Sequence, residues 1–176
     1  MRIVIRSVVM FQVVLLCAAF SFAAPPHGVR VTVERVTDGD TLVVTSENGT
    51  RLRLRLLGID APEIAHGAWL GQPYGLEARQ QLAQLVINRP VRVEMFGPDV
   101  YRRILAVVWV ADTNVNVEMV RGGFAEIYRQ ARCRAYCREL LDAEVQAQRA
   151  RVGVWMLETH ESPAAYRKRM RASPHG

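Results

Sequence analysis

Two short acidic motifs hold most of the reactive chemistry in this chain: Asp38-Gly39-Asp40 and Asp60-Ala61-Pro62-Glu63. Carboxylates that converge repel one another unless a cation lies among them, and a hard dication with oxygen ligands is the natural occupant. Taken singly, each aspartate reads as a turn residue, common where strands end. Arginines add a second element. Arg55 stands five residues before Asp60, and Arg102-Arg103 follows further along. Guanidinium groups beside a carboxylate-bound cation suit a phosphate whose negative charge grows in a five-coordinate transition state. Arg51 and Arg53 read instead as a solvated strand face. His66 reads as a solvated loop histidine, and Trp69 either stacks on a base or covers the barrel.

These groups need a scaffold that brings them together. Val29, Val31 and Val33 alternate with polar residues, the pattern of a half-buried strand. Asp38-Gly39 marks a bend, and Thr41–Thr45 reads as a second strand. Ser46-Glu47-Asn48-Gly49 is a hairpin turn, because Asn-Gly accepts the positive φ that tight turns require. Arg51–Leu56 then alternates strictly, leucines to one side and arginines to the other. Pairing of the second and third strands places Asp40 near Asp60, with Glu63 close by. After the loop of residues 58–72, Pro73 opens a helix that runs to Asn88. Val91–Phe96 and Ile104–Val110 read as fourth and fifth strands around a Gly97-Pro98-Asp99 turn. Val115–Arg121 is a short helix stopped by Gly122-Gly123, and a longer one spans about Ala135 to Arg151. The expectation is an α+β chain: an OB-fold, a five-stranded Greek-key β-barrel with about three helices, of a kind that often binds oligonucleotides. Fold alone assigns no chemistry.

The ends of the chain differ from its middle. Its 176 residues carry a net charge of +6, yet residues 24–163 hold 17 basic and 17 acidic side chains. The excess sits in Arg2 and Arg6 and in Arg167, Lys168, Arg169 and Arg171, so bulk charge says little about nucleic acid. Met1–Arg6 is basic, Val8–Phe20 is nearly unbroken apolar sequence, and Ser21-Phe22-Ala23 supplies small residues for a signal peptidase. The apolar run is short for a membrane span, and Leu16 before Cys17 argues against a lipoprotein. We therefore expect a signal peptide over 1–23, one domain over 24–163, and a basic, disordered tail over 164–176. The product is then secreted or periplasmic, without stable membrane association, and monomeric. Cys133 and Cys137 remain as the only thiols. In an oxidising compartment they are expected to form a disulfide; spacing of four is awkward within a helix, so the helix begins inside or after the pair. A metal site at these cysteines would lack a nearby histidine.

The segment from about Val31 to Trp155 resembles the staphylococcal nuclease family. The resemblance is carried by Asp38-Gly39-Asp40-Thr41, the block Arg55-Leu56-Leu57-Gly58-Ile59-Asp60-Ala61-Pro62-Glu63, Tyr74-Gly75-Leu76-Glu77-Ala78, Tyr101-x-Arg103 before Leu105-Ala106, and Ala143-Glu144 with Gly153-x-Trp155. It implies a Ca²⁺-dependent endonuclease acting on DNA and/or RNA and leaving 3′-phosphate products. It implies Asp40, Asp60 and the Ala61 carbonyl as Ca²⁺ ligands, with Asp38 behind them. Arg55 and Arg103 would clamp the phosphate, and Glu63 would orient or deprotonate the attacking water. Tyr101 and Tyr128 would line the nucleotide pocket. Two positions depart from the pattern: Val100 replaces a frequent basic residue, and Arg102 replaces the glycine between Tyr101 and Arg103. The alternative is a catalytically inactive OB-fold module that binds nucleic acid without cutting it.

Overall fold

The computed structural model describes residues 28–67, 69–130 and 132–172; the leader expected over residues 1–23 lies outside them. In chain order the elements are β1 (Val29–Asp38), β2 (Thr41–Ser46), β3 (Arg51–Leu56), β4 (Ile59–Asp60), α1 (Gly75–Val86), β5 (Val91–Pro98), β6 (Ile104–Val110), β7 (Thr113–Asn114), α2 (Val115–Arg121), β8 (Glu126–Ile127), α3 (Cys137–Ala150) and α4 (Pro163–Ala172). A short 3₁₀ turn at Gly153–Met156 separates α3 from α4.

The sheet runs β3-β2-β1-β5-β6, and β3 returns to pair in parallel with β6, which closes the barrel. Two bulges bend β1, between Val33 and Arg35 and between Val36 and Asp38. The bend lets Val29–Val31 pair with β5 while the strand also follows β2. This is the expected closed five-stranded OB-type barrel of an α+β domain. Inward positions on alternate residues fill it, among them Leu42 and Val44, Leu54 and Leu56, Val91 and Val93. α1 covers one end with Ala78, Leu82 and Val86, each four residues apart and fully buried. Burying Leu82 and Val86 contributes roughly 1.5–3 kcal/mol apiece.

One polar side chain fastens the core beside the site. Asn116, on α2, accepts from the Val108 amide at 3.0 Å and donates to the carbonyls of Leu57 at 2.9 Å and Ala106 at 3.1 Å. It thereby fixes the end of β3 against β6. Further along, α3 buries Leu140, Ala143 and Ala147, and its Glu144 accepts from the Ile127 amide of β8 at 2.9 Å. Cys133 and Cys137 are bonded, with Cα atoms 5.8 Å apart. The helix starts at Cys137 itself, so the pair is not held in helical spacing.

The tail departs from expectation. Residues 163–172 are not disordered but form α4, a fourth helix where about three were expected; residues 173–176 lie outside the described ones. Ser162 caps it, its hydroxyl accepting from Ala165 N at 3.2 Å, and Pro163 fills the first helical position. Its composition, rich in arginine and flanked by Ser-Pro, reads as disorder only when those start signals are passed over. No helix among the described residues is long and apolar enough to cross a membrane.

Candidate active site

The site begins with two glycines that allow close approach. A Cβ on Gly39 would stand 2.6 Å from the Ala61 methyl and 2.7 Å from that of Ala78, so the 38–40 bend lies flat on β4 and α1. A Cβ on Gly75 would meet the Glu63 carbonyl at 2.3 Å, so the start of α1 supports the Glu63 backbone directly. Asp38 Oδ1 accepts from Asp40 N at 3.1 Å, an Asx turn that aims Asp40. Asp40 then accepts from the Ala61 amide at 2.9 Å and from the Thr41 hydroxyl at 3.0 Å.

Arg55 gathers these groups. Its guanidinium lies 2.8 Å from Asp40 Oδ2 and 2.9 Å from Asp60 Oδ1, and it donates to the Ile59 carbonyl at 2.9 Å. Arg55 is 8% exposed and Asp60 is 3% exposed, so this is a buried ionic cluster. β3's polar face turns inward here because the strand ends at the mouth of the barrel, whereas Arg51 and Arg53 stay exposed as expected. Burial pushes the Asp40 carboxyl up to about 6, against the opposing pull of Arg55. Arg55 is thus one positive charge beside two buried carboxylates.

The additional charge comes from a residue that sequence reading missed. Arg167, on α4, donates to Asp60 Oδ1 at 3.0 Å and Oδ2 at 2.8 Å, and to Glu63 Oε1 at 2.7 Å. Burial opposes its charge, but the bonds to Asp60 and Glu63 prevail and raise its pKa above the ordinary arginine value. The Ser162-Pro163 helix start could have placed this arginine on an ordered helix, although not at the site.

Arg103 is turned elsewhere. It pairs with Asp99 at 2.7 Å, and the Asp99 Oδ1 atom accepts from the amides of Tyr101 at 2.8 Å and Arg103 at 2.9 Å. Burial alone would raise the Asp99 carboxyl, but these bonds from Arg103 and Tyr101 hold it below its usual value. Arg103 also lies over the Tyr101 ring, 5.4 Å from its centroid. Arg102 takes the conformation that glycine adopts freely, with φ of 60°, so the turn survives the substitution.

An open cleft of about 1490 Å³ joins these groups: Asp40, Arg55, Glu63, Tyr101, Arg103 and Tyr128 all line it. Tyr128 is half-buried, its amide on the Gly58 carbonyl at 2.9 Å, while Tyr101 is 65% exposed. The structure thus brings Asp40, Arg55, Asp60 and Ala61 together and joins Glu63 to them through Arg167. Arg103, Tyr101 and Tyr128 share the cleft without touching the carboxylates. The bonded cysteines flank it at Cys133. Trp69 meets the Tyr166 ring edge-on at 6.2 Å, so it covers α4.

Hard oxygen donors in Asp40, Asp60 and the Ala61 carbonyl suit a hard divalent cation. The donor chemistry fits a metal. With Arg167 docked, however, both Asp60 oxygens carry guanidinium contacts. Among the described residues no group of three acidic, histidine or cysteine side chains stands arranged as a metal cage.

Comparison with known proteins matches residues 53–157 to the family described as staphylococcal nuclease homologue, a family that is generally metal-dependent. A protein named Endonuclease Htp3, from Saprolegnia parasitica, is 36% identical over 162 residues, covering 80% of this chain and 76% of its own. A protein named as an uncharacterized endonuclease, from Haemophilus influenzae, is 33% identical over 138 residues, covering 77% of this chain and 71% of its own. Protein ParB of Escherichia coli is 37% identical over 160 residues, covering 85% of this chain and 86% of its own.

Proposed function

The chain belongs to the staphylococcal nuclease family, and from that premise we propose that it is an exported, Ca²⁺-dependent endonuclease leaving 3′-phosphate products on DNA and/or RNA. Its being a nuclease, a phosphodiester hydrolase, rests on the family and on its endonuclease-named relatives. One observation supports the finer reading most strongly: aspartates from two separate segments meet on a buried arginine at the head of an open cleft.

Asp40, Asp60 and the Ala61 carbonyl would hold the Ca²⁺, which when bound supplies positive charge against the phosphate oxygens. Glu63 accepts a proton from the attacking water at its carboxylate. The water oxygen bonds to phosphorus, the bond from phosphorus to the 5′ oxygen breaks, and that oxygen takes a proton from solvent water and leaves as a hydroxyl. Arg55, at the head of the cleft, would contact the reacting phosphate. Arg103, on the same cleft, would leave Asp99 to reach it. Tyr101 and Tyr128 would flank the nucleotide, the short apolar leader would direct export, and the mature chain would be a monomer without stable membrane association.

Oligonucleotide cleavage by protein beginning at Ala24, assayed with Ca²⁺ and with chelator, tests this reading. Expected are Ca²⁺-dependent cuts and a 3′-phosphate on each product by mass spectrometry. Binding without cleavage would instead mark an inactive OB-fold module. Intact mass of protein from the envelope or medium tests export, and a retained 1–23 segment contradicts a cleaved leader.

A further inference from the structure

Arg167 reaches the carboxylates because α4 is anchored on the loop that carries Glu63. Tyr166, 4% exposed, accepts from the Gly71 amide at 3.1 Å and meets Trp69 edge-on. Gln72 joins the two sides: its Nε2 donates to the Glu161 carbonyl at 2.9 Å and its Oε1 accepts from Glu63 N at 3.0 Å. The helix thus docks through buried apolar and hydrogen-bonded contacts, and Arg167, next to the Tyr166 anchor, is directed inward.

The chemistry of the contact is specific. A guanidinium places two nitrogens on the two Asp60 oxygens in the bidentate manner and spends one of them on Glu63 as well. It therefore sits among the same carboxylates that a divalent cation would neutralise. A dication and a guanidinium on shared oxygens repel, and Asp60, itself buried, cannot give its oxygens to both. Glu63 is likewise engaged, its Oε1 held by Arg167 at 2.7 Å, which lowers its readiness to take a proton from water.

We infer that Arg167 is a tethered competitor of the divalent cation, holding Asp60 and Glu63 when metal is absent and leaving them when metal binds. The metal-free site is thereby stable and idle. Metal entry releases both Glu63 and Arg167, and Arg167 then lies beside Lys168 and Arg171 on the same cleft wall. By thermodynamic reciprocity, whatever favours the docked arginine weakens metal binding by the same factor. The inference rests on the metal reading of the proposed function, and the experiment separates the two.

Ca²⁺ alone is titrated calorimetrically into metal-stripped wild type, Arg167→Ala, Arg167→Gln and Lys168→Ala, without substrate. Both Arg167 variants should bind Ca²⁺ about tenfold or more tightly than wild type, within the usual range of such couplings, while Lys168→Ala stays at the wild-type affinity. Affinities equal to or weaker than wild type in the Arg167 variants overturn the competition and leave the metal reading standing. Absence of Ca²⁺ binding in every protein overturns the metal reading and the competition with it. Should both variants fold poorly without metal, the wild type alone still decides: the Arg167 Nε–Hε resonance must shift on Ca²⁺ addition, and an unmoved signal overturns the inference.

Discussion

Replacing Arg55 by alanine removes the centre of the ionic cluster, and the structure sets the size of the effect. The guanidinium meets Asp40 at 2.8 Å and Asp60 at 2.9 Å, and it donates to the carbonyls of Leu56 at 3.2 Å and Ile59 at 2.9 Å. All of this happens at 8% exposure. Breaking a buried ion pair by deleting one partner costs about 3–5 kcal/mol, because the other charge is left uncompensated. The cost must depend on pH. Asp40 already holds its proton up to about pH 6, so at pH 5 one of the two abandoned carboxylates is largely neutral. Urea unfolding followed by circular dichroism, without metal, should therefore show a loss of about 3–5 kcal/mol at pH 8 and a clearly smaller one at pH 5. Added Ca²⁺ should restore part of the deficit at pH 8. A loss under about 1 kcal/mol at pH 8, or one independent of pH, refutes the assignment of Arg55 as the group that holds the carboxylates.

Three further outcomes are expected. In metal-free protein the Asp40 carboxyl titrates near 6 when folded and near 3.8 when unfolded, so its stabilising proton is fully present below about pH 3.8 and lost as pH rises through about 6. Stability should fall over that window by on the order of 3 kcal/mol, and Asp40→Asn, measured by thermal melting in chelator, should flatten the slope. Asn116→Ala orphans the Val108 amide and the carbonyls of Leu57 and Ala106; urea unfolding should show a loss of about 3 kcal/mol, and a near-zero change contradicts its role as the fastener of β3 to β6. Arg102→Gly relieves a left-handed backbone at φ 60° and should raise stability by about 1 kcal/mol, whereas a lower melting temperature contradicts strain at that turn.

Local signals in the sequence were legible, and distant ones were not. The Asn48-Gly49 turn and the strict alternation of Arg51–Leu56 fix a hairpin, which sets Thr41 opposite Arg55 and so brings Asp40 to the end of β3, five residues before Asp60. Closure of the barrel by parallel pairing of β3 with β6 leaves no comparable local mark, since it joins Leu54–Leu56 to Ile104–Ala106, 50 residues further along. Arg55 reads as a phosphate ligand set apart from Arg51 and Arg53, but its burial between Asp40 and Asp60 is not legible, because alternation records which side a residue faces and not that the strand's end is covered. Arg103 reads as a phosphate ligand, yet Asp99 four residues earlier holds it locally. Arg167 escaped altogether. Its partner Asp60 lies 107 residues away, and a basic composition outweighed the Ser162-Pro163 helix start in the reading of the tail.

Turnover of a short oligonucleotide by wild type and Glu63→Gln, each with saturating Ca²⁺, tests the central account most directly. Glutamine keeps the shape of the side chain but cannot accept the water's proton. The account predicts that the rate falls by about 10²–10⁴ while substrate affinity changes little. Cleavage by Glu63→Gln at the wild-type rate would contradict it.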